Sequence, residues 1–321
     1  MVPTLPVALR LSLAPLVAAR ADPTIRLREG GVARASHTPE GPGTLIATRG
    51  EDDAFTVRAF GPGAGWLLAH APGLRGAEDR LEGFDPGRHA VVARAHHRRP
   101  GLRMIRTGTV TDVLATTIIA QKVTGLEAAR SWTRLVRTLG SPAPKPPTPA
   151  HRPPAPAHRP PAPATGSAAD HPPDLWLPPT PAELARTPVA AFRSLGIDRD
   201  RARNLAEACR HVHHLDAALD LPPVPRLAAL TAVPGIGVWT AAHLARVAGG
   251  DADAVEVGDY HVKNVVSHHL AGEPRGTDER MLELLAPFAG HRGRVVRLLG
   301  IDGGPAPRYG PRRSVVTWGG R

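Results

Sequence analysis

The stretch Leu230-Thr-Ala-Val-Pro-Gly-Ile-Gly-Val-Trp-Thr-Ala-Ala-His-Leu-Ala245 decides how the rest of the chain is read. An apolar run from Leu227 to Leu230 ends at Pro234 and Gly235, where proline cannot continue a helix and glycine tolerates positive φ. From Gly237 a second pattern begins, with Val238, Ala241, Ala242 and Ala245 at helical spacing. The spacing predicts helix, tight turn, helix. Two glycines two residues apart leave backbone N–H groups bare at a helix N-terminus, a shape that takes a phosphate without a side-chain clash. On these residues alone, Pro234, Gly235, Ile236 and Gly237 form either a clamp for a nucleic-acid backbone or the turn of an ordinary helical hairpin.

Two further stretches narrow the reading. Downstream, Asp253-Ala-Val-Glu-Val-Gly-Asp-Tyr-His-Val-Lys263 places Asp259 twenty residues after Trp239, at the predicted start of a helix over 260–270. Upstream, Arg99-Pro-Gly-Leu-Arg103 is followed by the apolar run Asp112-Val-Leu-Ala-Thr-Thr-Ile-Ile-Ala-Gln121. Together these stretches resemble the helix-hairpin-helix (HhH-GPD) DNA glycosylase superfamily, most nearly its bacterial 3-methyladenine DNA glycosylase II branch. The likeness covers most of residues 85–300 apart from one insertion.

The resemblance implies an α+β chain. A small antiparallel β-sheet domain occupies residues 1–84, and an all-α glycosylase core occupies 85–300. A proline-rich insertion interrupts the core at 141–174, and a loose tail spans 301–321. The implied partner is double-stranded DNA carrying a damaged base, bound by a monomer. The implied reaction is hydrolysis of the N-glycosidic bond of an alkylated purine. A non-catalytic DNA-binding protein of the same fold, or a glycosylase for oxidised bases, would share the hairpin.

Cleaving that bond builds positive charge on the deoxyribose, and a nearby carboxylate stabilises it and can activate water. The resemblance gives Asp259 this role; an aspartate here also suits a helix N-cap, and the two roles are compatible. Superfamily members that also nick the backbone carry a lysine where this chain has Trp239, which implies a monofunctional enzyme. Trp239 would then wall the base pocket, stacking on a cationic alkylated base, or else simply pack the hairpin. Tyr260 is the second candidate wall. Gln121 matches a glutamine that faces the DNA minor groove, although a polar residue also suits the end of a buried helix. The next position, an apolar wedge in the family, is Lys122 here; the wedge role then falls to Val123 or another loop. Gly300 stands where the family has a further pocket tryptophan, with Trp318 a candidate substitute. Lys122 and Arg292 are expected to assist in holding phosphate. No cofactor is implied; a monovalent cation on the hairpin carbonyls is the one ion the resemblance suggests.

Composition agrees with a polyanionic partner. Lys and Arg number 40 against 29 Asp and Glu, a net charge of +11, although an Arg-, Ala- and Pro-rich composition produces the same balance. The single cysteine, Cys209, excludes an internal disulfide framework and a four-cysteine iron–sulfur cluster, and reads as a small core residue. Residues 5–19 are apolar, but Arg10 interrupts them and no basic segment precedes them. They read as an opening strand rather than a signal peptide, which with no membrane span implies a cytoplasmic protein.

Period-two alternation over 24–60 predicts a small sheet with one wet face. Helices are predicted at 63–74, with Trp66, Leu67 and Leu68 inward; at 85–95; at 109–121; and at 124–139, with Leu126, Ala129, Trp132, Leu135 and Val136 on one side. Residues 141–174 contain the tandem repeat Pro-Ala-His-Arg-Pro-Pro-Ala at 149–155 and 156–162, too rich in proline to pack. Helical order resumes with Thr180, Pro181 and Glu183 as a capping box. One long helix is expected over 199–219, with further helices over 277–288 and 291–299. His211, His213 and His214 lack metal-ligand spacing.

Overall fold

The computed structural model describes residues 7–28, 30–50, 55–146, 174–303 and 306–307. The chain enters as α1 (Leu9–Leu13), prolonged by a 3-10 turn (Ala14–Leu16), and not as the expected strand. Leu9, Leu13 and Leu16 are buried at helical spacing, and Pro15 sits in the first turn of the 3-10 segment, where its missing N–H costs nothing. Pro15 is therefore compatible with the helical entry.

The alternating residues form a four-stranded antiparallel meander of β1 (Ile25–Arg28), β2 (Gly31–Thr38), β3 (Gly41–Arg49) and β4 (Phe55–Phe60), in the order β1-β2-β3-β4. The register pairs Ala33 with Ile46 and Val32 with Ala47. Ile25, Val32, Leu45 and Ala47 face the main core; Leu67 of α2 (Ala64–Leu74) joins them, whereas Leu68 is exposed. The opposite face is wet only in part: Thr56 and Arg58 of β4 are exposed on it, but its centre is covered. Ala33, Ala35 and Ile46 are covered by Ala143, Leu175 and Leu177. These come from the margins of the proline-rich segment, where β5 (Ser141–Pro142) pairs antiparallel with β6 (Trp176–Leu177) and Trp176 N–H donates to the Pro23 carbonyl. Ordered chain thus extends into the expected insertion at both ends; the tandem repeat lies outside the described residues.

The remaining helices are α3 (Ala90–Arg98), α4 (Leu114–Ile119), α5 (Gly125–Leu139), α6 (Pro181–Arg186), α7 (Arg199–Arg210), α8 (Val212–Ala218), α9 (Pro223–Thr231), α10 (Val238–Val247), α11 (Val262–Ala271), α12 (Asp278–Leu285) and α13 (Arg292–Asp302). Thr180 and Glu183 make the reciprocal capping box before α6, as the spacing predicts. The long helix expected over 199–219 is broken at His211 into α7 and α8. Leu126 is exposed near the start of α5, while Trp132, Leu135 and Val136 are buried. Cys209 lies in the core, where burial pushes its thiol up to about 12. Among the described residues no helix is long and apolar enough to cross a membrane.

The apolar residues gather in two main clusters. The larger joins one face of the sheet to α4, α5 and α7 through α10. The smaller unites α3, α11, α12 and α13. The segment linking α10 to α11 crosses between them, with Ala254 packed on the first cluster and Val255 and Val257 on the second. That crossing carries Asp259.

Candidate active site at the hairpin

The hairpin between α9 and α10 is anchored by its two apolar residues and opened by its two glycines. Val233 and Ile236 are buried, and Ile236 N–H closes the turn on the Val233 carbonyl at 3.1 Å. Gly235 takes φ +85°, and a Cβ there would lie 2.7 to 2.8 Å from atoms of Asn204 on α7. Glycine at 235 is thus demanded by the fold. At Gly237 a Cβ would meet nothing within 4 Å. Gly237 occupies the N-cap position of α10, where glycine is favoured, and leaves the outer face of the turn open. Among the described residues, no backbone or side-chain acceptor takes the Gly235 or Gly237 amide, and both lie at the α10 N-terminus.

The two glycines should therefore respond differently to substitution. Gly235→Ala is expected to lower stability by about 1–2 kcal/mol, from the left-handed backbone and the collision with Asn204. Gly237→Ala, at the α10 N-cap, should cost less than this, under about 1 kcal/mol, while its added methyl group, standing in the way of the turn amides, should weaken duplex DNA binding about tenfold. Thermal melts and binding titrations on both variants check this.

The segment carrying Asp259 is pinned along its length by its own carboxylates, which pair with arginines on different helices, and by Asp278 of α12. Asp251 pairs with Arg226 of α9 at 2.8 Å. Asp253 accepts from Arg292 Nε and Nη2 and from the Arg292 amide at the start of α13. Arg292 is thereby committed to an internal ion pair, not presented to a phosphate as the sequence suggested. Glu256, 5% exposed, accepts from Arg246 Nε at 2.8 Å and Nη2 at 2.5 Å, and lies 3.2 Å from His243 Nδ1. Gly258 N–H donates to Asp278 of α12.

Asp259 itself receives three N–H donors. Its Oδ1 accepts from the amides of His261 at 2.7 Å and Val262 at 3.0 Å, so it caps α11, which begins two residues later than the sequence suggested. Its Oδ2 accepts from Trp239 Nε1 at 2.9 Å. The half-exposed carboxylate is thus fixed in orientation from both sides. Tyr260, next along, is 67% exposed and meets His261 edge-on. Gly300 lies exposed on α13, with no atom near the place a Cβ would take.

Gln121 follows α4, yet its carboxamide turns toward the hairpin. Nε2 donates to the Gly235 carbonyl at 3.1 Å and to Thr240 Oγ1 at 3.0 Å, and Oε1 accepts from Asn204 Nδ2 at 3.3 Å. This glutamine links α7, the α4–α5 turn and the hairpin. Lys122, beside it, is exposed and holds φ 57°, a left-handed conformation that no other described non-glycine residue adopts. Such backbone strain is typically kept where a side chain must be presented.

Several participants were not singled out in the sequence: His243, Arg246, Glu256, Asn204 and Thr240. Three carried a signal. Glu256 is a lone carboxylate between valines, and Trp239, His243 and Arg246 recur at i, i+4 and i+7 on one helix face. Burial alone would raise the Glu256 carboxyl. The charge of Arg246 and the contacts from His243 and Arg246 outweigh it and hold the group well below the ordinary carboxylate range. Burial, with Arg246 and Arg297 nearby, lowers the His243 pKa despite Glu256. Burial also pushes Arg297 down to about 10.

No curated protein sequence matches the chain. Its fold is similar to that of a 3-methyladenine DNA glycosylase from Archaeoglobus fulgidus, with TM-score 0.69 and 16% identity, covering 91% of this chain and 94% of that one. It is also similar to an 8-oxoguanine glycosylase/lyase from Clostridium acetobutylicum, with TM-score 0.64 and 12% identity, covering 91% and 92% of the two chains. At such identities the likeness is one of fold. The family profile of HhH-GPD superfamily base excision DNA repair proteins matches residues 115–289, which hold the α4–α5 turn, the hairpin and Asp259. With more than half its length inside that profile, the chain belongs to the HhH-GPD superfamily of base-excision DNA repair proteins.

Proposed function

We propose that the chain is a monofunctional DNA glycosylase that hydrolyses the N-glycosidic bond of alkylated purines of the 3-methyladenine type. It would act as a monomer on double-stranded DNA, and without a cofactor. The observation that carries the reading is the bond from Trp239 Nε1 to Asp259 Oδ2, beside a glycine hairpin. It couples the carboxylate that chemistry at C1′ needs to an indole at the position where a lyase would carry lysine.

In this reading Gly235 and Gly237 amides hold the phosphate backbone, and the target nucleotide swings out of the stack. Lys122 is presented to the duplex by its left-handed backbone, and Gln121 holds that turn against the hairpin. The alkylated purine carries positive charge and stacks on the electron-rich face of Trp239, with Tyr260 as the outer wall. The C1′–N bond breaks with its electron pair leaving on the purine, which departs neutral and needs no general acid. Asp259 stabilises the positive sugar and takes a proton from the water that adds at C1′, leaving an abasic site. The Val233 and Gly235 carbonyls already accept protein hydrogen bonds, and no step runs through a cation at the hairpin.

The test is release of free base from methylated duplex DNA and from duplex carrying 8-oxoguanine, with strand breaks scored before and after alkali. The expected result is release of 3-methyladenine, with breaks only after alkali. Breaks without alkali would mean a lyase nucleophile elsewhere. Release of 8-oxoguanine alone would move the substrate class to oxidised bases. DNA binding without release of any base would favour a non-catalytic binder.

A further inference from the structure

Trp239 is held on both sides. Its edge donates to Asp259, and its face lies over His243, one helical turn on, with ring centroids 5.9 Å apart and planes within 15°. His243 cannot swing freely. Its Nδ1 sits 3.2 Å from Glu256 Oε1 and 3.2 Å from Arg246 Nη2, and both partners are buried. Glu256 in turn belongs to the same segment as Asp259, whose amide donates to the Glu256 carbonyl at 3.2 Å. These contacts close a ring: Asp259, Trp239, His243, Glu256 and back along the backbone to Asp259. α10 and the Asp259 segment are therefore cross-linked twice, once through the reacting carboxylate and once through the buried ion pair. The hairpin contacts of Gln121 and Asn204 lie outside this ring.

We propose that His243 is a positioning residue: clamped by the Glu256–Arg246 pair, it fixes the plane of the Trp239 indole and through it the orientation of the Asp259 carboxylate. The inference deepens the glycosylase reading and rests on it for its kinetic consequence alone. His243 itself transfers no proton in this scheme. A free indole rotates about two side-chain torsions. Stacked on an immobilised imidazole, its Nε1–H stays aimed at Oδ2, which keeps the carboxylate from turning toward solvent. Misplacing a reacting group by about 1 Å costs on the order of 10²-fold in rate.

The test uses the full chain with His243→Ala, which removes ring and polar contacts, and His243→Phe, which restores a ring without the bond to Glu256. Two measurements are made. One is base release from methylated duplex DNA, resolved into kcat and KM. The other is hydrogen exchange of the Trp239 indole N–H by NMR, its resonance assigned with Trp239→Phe. For His243→Ala the expected results are a fall in kcat of about 10- to 100-fold with KM within about twofold, and indole exchange faster by about tenfold or more. His243→Phe, which keeps the stacked ring but loses the clamp, should recover only part of both. Indole exchange unchanged from wild type in a folded His243→Ala protein overturns the proposal, and so does a kcat within about twofold of wild type. Should His243→Ala fail to fold, His243→Phe is read instead: exchange and kcat no better than a Trp239→Phe protein's kcat and an unprotected indole overturn it. If wild type releases no base but the exchange effect is present, the glycosylase reading fails and the positioning role of His243 stands.

Discussion

Asp259→Asn is expected to reduce base release from methylated duplex DNA by about 10²–10³-fold or more, the range seen when a group that stabilises transition-state charge is removed. The variant should remain folded. Its amide oxygen can cap α11 as Oδ1 does, by accepting from His261 and Val262. The other side of the new amide is then an NH2 facing Trp239 Nε1–H, donor against donor, where Oδ2 had accepted at 2.9 Å. The loss of that bond should cost roughly 1 kcal/mol, a shift in melting temperature of a few degrees. Duplex binding should be unchanged or slightly tighter, because a negative charge near the phosphates is gone. A single-turnover assay beside a binding titration separates these effects. Base release within a few fold of wild type would remove Asp259 from the chemistry and leave it as a helix cap.

Glu256→Ala is expected to be among the most destabilising single changes near the site, by about 3–5 kcal/mol, because it strands Arg246 without its buried partner. Arg246 and Glu256 are 8% and 5% exposed, and Arg297 of α13 lies close enough to add to the repulsion. The same cluster predicts acid lability. His243 is faced by Arg246 of its own helix, by Glu256 of the linking segment and by Arg297 of α13. Its folded pKa lies below the ordinary 6.5, so the unfolded chain binds more protons and stability falls as pH drops below 6.5. Glu256 is depressed from 4.5, so its contribution is present above 4.5 and is lost as pH falls through its lower folded value. Both act in one direction. Urea unfolding midpoints should therefore decline from pH 7.5 to 5 and more steeply below 4.5, with the lower limb flattened in Glu256→Ala. A wild-type midpoint independent of pH across that range would contradict the arrangement.

The hairpin and Asp259 were legible because their signals are local or nearly so. Pro234, Gly235 and Gly237 mark a turn through backbone conformations that few residues adopt, and Gly235 does take positive φ. The α6 capping box was legible for the same reason, since its donors and acceptors lie three residues apart. Where the reading failed, the deciding partner was distant. The sheet was expected to have a wholly wet face because alternation within β1 to β4 cannot reveal that Leu175 and Leu177 return to cover its centre. Residues 5–19 are the exception: the leucine spacing that seats α1 is local, and the apolar run reads as a strand only when that spacing is overlooked.

What the sequence by itself determined is the hairpin, because its Pro234, Gly235 and Gly237 act through local backbone chemistry. The roles read for Asp259 and Trp239 came from the resemblance to the superfamily, which spacing alone does not supply. Only the tertiary structure decided that Gln121 turns to the hairpin, that Arg292 is committed to Asp253, and that Asp259 is held through Trp239, His243 and Glu256. Each is a pairing of polar groups brought together from separate elements. A buried donor must find an acceptor, but which acceptor it finds depends on how the two helical clusters meet across residues 251–259, and no local pattern encodes that.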